Sequence, residues 1–197
     1  MAARDRLGGL SDHAVAAVVL MRAVYDLTIV ESVGIGQSEG DIAFVADTVL
    51  LCIQPGSGDS LQFMKAGVME LPDVVAVTKA DMGDVARRAR ADVEGALTLS
   101  RPEPGAWPAR VVTVSATTGA GLDALAAALD AHRDFLAADN RLAVRRAAQA
   151  RHWVEDALQV RYGRRGLAAA GAIDVAGGPF GTVLAISGRL EFRLFGD

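Results

Sequence analysis

Four short apolar runs constrain the fold of this chain more than any other feature. Each run is rich in β-branched residues and lacks the polar alternation of a half-exposed strand, which is typical of strands covered on both faces. The runs are Leu27–Val30, Thr48–Ile53, Val74–Val77 and Val111–Val114. Helical patterns alternate with them at Asp12–Val24, Ser60–Leu71, Asp84–Leu97 and Leu122–Leu136. This alternation predicts an α/β fold with a doubly wound, mostly parallel sheet.

The character of the chain changes after Asn140. Residues Arg141–Tyr162 are rich in arginine and carry apolar residues at helical spacing, which predicts an amphipathic C-terminal helical arm. The glycine-rich stretch Gly163–Gly181 is expected to be irregular, and Thr182–Phe195 is predicted to form a hairpin around Ser187-Gly188-Arg189. We therefore expect one domain over residues 1–138 and an arm with a tail over residues 139–197.

Charge and cysteine content exclude several classes of protein. The net charge of −4 argues against nonspecific binding to nucleic acid or membrane surfaces. No uncharged apolar stretch of about 18 residues is present, so no membrane span is expected. The beginning of the chain lacks the apolar centre of a signal peptide, and Cys52 is the single cysteine, which excludes a disulfide framework. These features predict a cytoplasmic protein.

Polar residues follow three of the four apolar runs. The first run leads into Glu31-Ser32-Val33-Gly34, the third into Thr78-Lys79-Ala80-Asp81, and the fourth into Ser115-Ala116-Thr117. Ligands of open α/β sheets bind beyond the carboxyl ends of the strands, where these residues would meet. Each stretch alone is weak evidence, but together and in this order they predict a guanine-nucleotide site.

The chemistry of guanine fits these residue types. Guanine presents two adjacent N–H donors, which the carboxylate of Asp81 can accept as a bidentate charge-assisted pair. The aliphatic part of Lys79 can lie over the base, and a backbone N–H near Ala116 can reach the guanine O6. Glu31 stands where an acid can hold a water on Mg²⁺, and Gly34 offers an unobstructed N–H to a γ-phosphate.

Simpler readings exist for each residue. Glu31 could be an ordinary strand-end acid, Asp81 with Lys79 a surface turn, and Ser115-Ala116-Thr117 a helix entry. The three histidines do not lie at metal-ligand spacing, so a histidine metal site is not expected. The arginines of the arm fit a solvated helix face or a docking surface for an acidic partner.

Five stretches together resemble the MeaB/ArgK-type GTPases, which serve cobalamin-dependent acyl-CoA mutases. They lie within the run from Leu7 to about Leu136, which is about two thirds of the chain, and read LGGLSDHA, IVESVGIGQSEGD, PGSGDSLQFMKAG, VTKAD and VSATTG. The resemblance implies a P-loop NTPase-like fold, GTP and GDP binding with Mg²⁺, slow GTP hydrolysis, and a chaperone role towards a mutase. It also implies roles for Thr78, Ser115 and Thr117 in the base site.

The same resemblance implies a switch and a dimer. The loop Pro55–Lys65 would convey the nucleotide state to the partner, with Gln37, Asp59 and Lys65 as switch residues. For Asp59 and Lys65, a helix cap and a solvated helix residue are equally good readings. The arm after Asn140 would correspond to dimerisation helices.

Two features depart from the family pattern. Thr78 stands where asparagine is usual, and a threonine hydroxyl can still tie neighbouring loops together. The second departure is the phosphate loop G-x-x-x-x-G-K-[ST], which is absent from the sequence because the two lysines, Lys65 and Lys79, lie in other contexts. We expect a fragment, a sheet completed by a partner or a rearranged sheet, from a late start codon, a split gene or a degraded gene.

Three hypotheses follow. The chain is a GTP-binding protein with weak or no turnover, or a non-hydrolysing G-domain remnant that acts as an interaction module, or an unrelated doubly wound protein that uses the same sheet edge for another ligand. A preference for guanine over adenine would distinguish the first from the third.

Overall fold

The computed structural model describes residues 12–32, 40–56, 70–99 and 104–195, and the chain forms two compact units, residues 1–139 and 140–197. In chain order, the helices and strands of the first unit are α1 Asp12–Met21, α2 Gly40–Ala43, β1 Leu50–Ile53, β2 Val74–Val77, α3 Asp84–Leu99, β3 Arg110–Thr113 and α4 Leu122–Ala137. Short 3₁₀ turns at Ala80–Met82 and Ala138–Asn140 follow β2 and α4.

The described strands form a parallel sheet in the order β1-β2-β3. Leu50 pairs with Val74, and Val74 pairs with Arg110, so the first residues of the three strands are in register. All four residues of β2 are buried, whereas β1 and β3 are the outer strands. The α/β class and the parallel sheet are therefore confirmed, and three of the four predicted strands are present.

Helices α3 and α4 both pack against the sheet. Ile53, Val75 and Val77 form a buried cluster with Val93 of α3, and neighbours such as Leu51 and Val111 pack against it. Side chains alternate along a strand, so this cluster marks one face of the sheet. Helix α4 contacts β2 and β3 but contributes no residue to the cluster, which places it on the other face.

The prediction of a strand at Leu27–Val30 is wrong. The structure assigns these residues no strand, and the side chains of Leu27 and Ile29 are 77% and 83% exposed. An apolar run becomes a strand when a neighbour accepts its backbone hydrogen bonds, and no described strand pairs with this one. The predicted helix Ser60–Leu71 lies almost entirely outside the described residues.

The second unit consists of α5, Arg141–Ala170, and α6, Pro179–Phe195. The backbone at Gly163 is non-helical and interrupts α5. The arm predicted to end at Tyr162 therefore stops one residue before this interruption, and the helix resumes after it and ends at Ala170. The predicted hairpin at Thr182–Phe195 is wrong, because Ile186 and Leu190 recur at helical spacing and are buried against Val154 and Leu158. Among the described helices, none is long and apolar enough to cross a membrane.

Candidate functional site

The candidate site begins at the carboxyl end of β2, with Thr78. Its backbone N–H and its side-chain hydroxyl both donate to the carbonyl of Ile53, at 2.9 and 3.1 Å. Because Ile53 is the last residue of β1, Thr78 ties the ends of two strands together. The sequence-based expectation was that a threonine hydroxyl here ties neighbouring loops together; in the structure the hydroxyl bonds to the last residue of the adjacent strand.

Residues Lys79–Asp81 form a tight turn beside the end of β3. Lys79 adopts a left-handed backbone conformation with φ of 53°, which is uncommon for a residue with a side chain. The N–H of Ala80 donates to the carbonyl of Val114 at 3.0 Å, and the 3₁₀ turn that contains Asp81 follows. The backbone thus places Asp81 at the same edge as the residues that follow β3.

Ser115 fixes the carboxylate of Asp81. Its side chain is fully buried, and its hydroxyl donates to Oδ1 of Asp81 at 2.5 Å while accepting from the N–H of Thr118 at 3.2 Å. This hydroxyl holds the pKa of Asp81 below its usual range, with smaller contributions from the Asp81 amide and the Lys79 ammonium. Asp81 is therefore an ionised carboxylate with a set orientation.

The loop that carries Ser115 is held by backbone contacts. The N–H of Ser115 donates to the carbonyl of Ala120, and the N–H of Gly119 donates to the carbonyl of Ser115, both at 2.9 Å. Gly121 has a φ of 77°, and a Cβ there would overlap the carbonyl oxygen of Thr113. A glycine is required at residue 121 for both reasons.

Several groups at this edge are open to a ligand. Lys79, Asp81, Ala116 and Thr117 are all exposed. No described residue accepts a hydrogen bond from the backbone N–H of Ala116 or Thr117. The edge thus offers an oriented carboxylate that accepts two neighbouring donors, a cationic chain beside it, and amides that can donate to a carbonyl oxygen.

The remaining predicted site residues are not brought to this edge by the described structure. Glu31 is exposed and lies in a segment without strand pairing. Gly34, Gln37, Asp59 and Lys65 lie outside the described residues. Thr78, Lys79, Asp81 and the loop that begins at Ser115 are the predicted residues that the structure brings together.

A second polar cluster, which the sequence did not predict, lies at the amino ends of the same strands. The fully buried ring of His132 lies between Thr48 and Asp73, with Nδ1 2.9 Å from the Thr48 hydroxyl and Nε2 3.2 Å from Asp73 Oδ1. The latter pair is close but not aligned as a hydrogen bond. The Trp107 indole donates to the Asp73 carbonyl at 2.9 Å and packs on the His132 ring.

One sequence signal could have indicated this cluster. Thr48 begins one apolar run, and Asp73 and Trp107 come shortly before the next two, so a parallel sheet places all three at its amino edge. The position of His132 depends on how α4 packs, which the sequence pattern does not specify.

Comparison with known proteins identifies the family. Residues 1–168 match the family described as methylmalonyl Co-A mutase-associated GTPase MeaB. The chain belongs to this family. The hypothesis of an unrelated doubly wound protein is therefore wrong.

Relatives of this MeaB-family chain are named as GTPases or as methylmalonic aciduria type A homologs. A Caulobacter vibrioides protein named as a GTPase is 38% identical over 150 residues, which are 75% of this chain and 46% of that protein. The mouse mitochondrial methylmalonic aciduria type A homolog is 36% identical over 160 residues, covering 78% of this chain and 38% of the homolog. The chain thus spans less than half the length of these curated relatives.

A solved structure has a similar fold. The crystal structure of an LAO/AO transport system kinase has a TM-score of 0.61 and 28% sequence identity, with 91% of this chain and 63% of that chain covered. The likeness extends over nearly all of this MeaB-family chain, including residues of both units.

Proposed function

We propose that this chain binds guanine nucleotides through the edge formed by Thr78–Asp81 and Ser115–Thr117. The observation that carries the proposal is the hydrogen bond from the buried Ser115 hydroxyl to Asp81, which orients an exposed, ionised carboxylate. A carboxylate fixed in this way accepts the N1–H and N2–H₂ donors of guanine without reorganising. Membership in a family of GTPases supports the choice of nucleotide.

Selectivity for guanine follows from the donors and acceptors at the edge. Adenine lacks the two adjacent donors, so its binding would leave the Asp81 carboxylate desolvated and unpaired. The amides of Ala116 and Thr117 donate to the guanine O6, where adenine carries an amino group that is itself a donor. Lys79 covers one face of the base with its methylene groups.

The described residues fit the base better than the phosphates and the metal ion. In the described parts of the chain, no group of three histidine, cysteine, aspartate or glutamate side chains could hold a metal. We propose Glu31 as the residue that holds a Mg²⁺-bound water and Gly34 as a γ-phosphate contact, with Gln37, Asp59 and Lys65 in the switch. Since the sequence carries no G-x-x-x-x-G-K-[ST], we propose that these 197 residues alone hydrolyse GTP very slowly.

The proposed partner is a cobalamin-dependent acyl-CoA mutase, in the cytoplasm. The description of the family, which associates it with methylmalonyl-CoA mutase, supports this partner. We propose that the second unit mediates a homodimer. Four of its large apolar side chains are more than 60% exposed, which a helical contact would cover: Val144, Val160, Leu184 and Phe192.

Nucleotide titration tests the base-recognition proposal. Fluorescent GDP and GTP, with ADP and ATP as comparisons, are titrated against the purified chain. We expect at least about tenfold tighter binding of guanine than of adenine nucleotides, which corresponds to about 1.4 kcal/mol. GDP and GTP should bind almost equally, because the base carries most of the contact. Equal affinity for the two purines would refute the proposal.

Asp81→Asn sharpens the same experiment. An amide suits the edge of xanthine better than that of guanine, so the variant should lose GDP and gain xanthosine diphosphate. Asp92→Asn is the matched control, since it removes the same charge from an exposed position on α3. A guanine preference that survives in Asp81→Asn would show that the base lies elsewhere.

A protein-interaction module without turnover is the second candidate function. The exposed apolar side chains at Leu27 and Ile29 favour it, because exposed apolar residues in proximity mark surfaces that bind protein. Single-turnover measurement of GTP hydrolysis separates the candidates, because the first expects slow hydrolysis and the module expects none. Any hydrolysis above the uncatalysed rate would exclude the module.

A further inference from the structure

Helix α5 of the second unit bends sharply at Gly163. This residue has a φ of 67° and a ψ of −172°, a combination that only glycine adopts readily, while the residues on either side of it are helical. With helical angles at residue 163, the 30 residues of α5 would form one straight helix about 45 Å long. The backbone of one residue therefore decides whether α5 is bent or straight.

Gly166 belongs to the same bend. In a straight helix, the Cβ atoms of residues four apart lie about 5–6 Å from each other. A Cβ added at Gly166 would instead overlap the Cβ of Tyr162, so the chain folds closely onto itself between these two residues. The bend requires glycine at residue 163 for its backbone angles and at residue 166 for close approach, and a straight helix would require neither.

The chain that follows the bend covers the inner face of α5, which consists of Val154 and Leu158. We call residues 167–195 the distal segment. Val154 and Leu158 are fully buried in a cluster with three residues of the distal segment: Ile173, Ile186 and Leu190. The apolar contacts of this cluster therefore join the two sides of the bend.

The polar contacts between α5 and α6 hold the distal segment only weakly. Oε1 of Glu191 accepts hydrogen bonds from the Arg161 guanidinium and the Tyr162 hydroxyl, both at 2.8 Å. The ion pair between Arg161 and Glu191 is exposed, and exposed pairs contribute little to stability. The hydroxyl of Ser187 is buried in α6 without a partner among the described residues, which weakens the packing of α6.

We propose that residues Gly163–Gly166 form a hinge through which two copies of this chain exchange their distal segments. In the exchanged state, α5 is straight through the hinge, and each distal segment packs on Val154 and Leu158 of the other copy. The closed fold shows what covers the inner face, since the exchanged copies make the same contacts as the single chain. Release of the bend favours the exchange, and the entropy of bringing two chains together opposes it.

Disulfide trapping between two chains tests the exchange. Trp153 and Phe180 are partly buried, lie on opposite sides of the hinge in sequence, and have ring centroids 5.2 Å apart. In a Cys52→Ser background, one full-length chain carries Trp153→Cys and another carries Phe180→Cys. The two are mixed, incubated over a range of concentrations and oxidised, and mass spectrometry identifies linkage between residues 153 and 180. The yield should rise with chain concentration, because the exchange joins two molecules.

This linkage distinguishes the exchange from the homodimer proposed through exposed side chains of the same unit. In that homodimer, the distal segment of each copy stays on its own α5, so residues 153 and 180 of different chains do not meet. The exchange also leaves the nucleotide site untouched, since the hinge and the inner face both lie in the second unit. The proposal therefore stands or fails independently of base recognition.

Gly163→Ala should increase the exchange. Alanine is strained at a φ of 67° and is favoured over glycine inside a straight helix, so the yield of linked chains should rise at least about tenfold. Gly188→Ala is the matched control, because residue 188 lies within α6 and, like residue 163, has open space where a Cβ would be added. This control should leave the yield unchanged. Equal yields in the two variants, or no linkage in Gly163→Ala, would overturn the proposal.

A lengthened hinge gives a second measurement, which decides the matter even if circular dichroism shows that Gly163→Ala does not fold. Two glycines inserted after Gly163 let the chain turn without strain, so the yield of linked chains should fall below that of the original hinge. Equal yields with the original and the lengthened hinge would overturn the proposal, because the linkage would then not depend on the bend.

Discussion

The two ends of the same three strands carry polar clusters of opposite character. At the carboxyl edge, Lys79 and Asp81 are exposed, and the latter is held by one buried hydroxyl, that of Ser115. At the amino edge, His132 is fully buried beside Asp73, whose other carboxylate oxygen accepts the Val49 N–H at 2.8 Å.

The difference teaches how to separate function from stability in this fold. Polar groups at the amino edge have protein partners on most sides, so they join the strand ends to α4 and leave little for a ligand. At the carboxyl edge, the backbone is fixed while the outward-facing groups are open. We therefore expect substitutions at the amino edge to affect stability, and substitutions of outward groups at the carboxyl edge to affect binding.

The largest expected effect concerns the backbone beneath the carboxyl edge. Gly121→Ala adds a Cβ at a φ of 77° that overlaps the carbonyl of Thr113. Strain and overlap together should lower the free energy of unfolding of the first unit by about 4 kcal/mol. Urea unfolding followed by Trp107 fluorescence in a Trp153→Phe background measures this, since Trp153 belongs to the second unit.

Gly119→Ala is the matched control for that change. Gly119 has a φ of 76°, but nothing lies within 4 Å of the position of its Cβ. The strain alone should cost about 1 kcal/mol. Equal losses in the two variants would show that close approach to Thr113 is not what requires glycine at residue 121.

The next largest effect is expected at the amino edge. Asp73→Ala removes the acceptor of the Val49 N–H and the carboxylate beside His132. Leaving the Val49 N–H without its acceptor and removing the carboxylate beside the buried His132 ring should lower the free energy of unfolding by about 3 kcal/mol. Under conditions in which the variant is folded, its preference for GDP over ADP should match that of the original chain. A selective loss of guanine binding would contradict the division between the two edges.

The strands show how far the sequence predicts this fold. Val74–Val77 was predicted with its observed bounds, because a strand buried on both faces leaves a continuous apolar run. Leu27–Val30 has the same composition and forms no strand, since strand formation depends on a partner that the local sequence does not contain. In Thr182–Phe195, Ser187-Gly188-Arg189 suggested a turn, but Val183, Ile186 and Leu190 share one buried helix face.

The candidate site was predictable where topology alone decides contacts. Residues after parallel strands must share an edge, so the proximity of Asp81 and Ser115 followed from their positions in the sequence. The burial of the Ser115 hydroxyl and its bond to Asp81 did not follow from the sequence, because they depend on the left-handed turn at Lys79. His132 was not predicted for a similar reason, since its partners lie far from it in the sequence.

A smaller effect, with a pH signature, is expected for Ser115→Ala. The change removes the donor to Asp81 and the acceptor of the Thr118 N–H, which should cost about 1 kcal/mol. The lowered pKa of Asp81 means that its contribution is present at neutral pH and is lost as pH falls below about 4, through the folded-state pKa. In the variant, the pKa should rise towards its usual range, as measured by NMR titration of the carboxyl carbon, and GDP affinity should fall. Ser115→Thr, which keeps a hydroxyl, should retain part of the lowered Asp81 pKa and part of the GDP affinity. An unchanged Asp81 pKa in Ser115→Ala would contradict the role of the hydroxyl.

The smallest effect is expected for Thr78→Val, which removes the hydroxyl but keeps the shape of the side chain. The N–H of Thr78 still donates to the Ile53 carbonyl at 2.9 Å, so the carbonyl keeps one partner and the loss should be about 0.5 kcal/mol. Because the ends of β1 and β2 stay joined, Asp81 should keep its place, and the GDP/ADP affinity ratio should change less than about twofold. A large loss of guanine preference in this stable variant would mean that the Thr78 hydroxyl contacts the ligand. The binding site would then extend from Asp81 back to the end of β2.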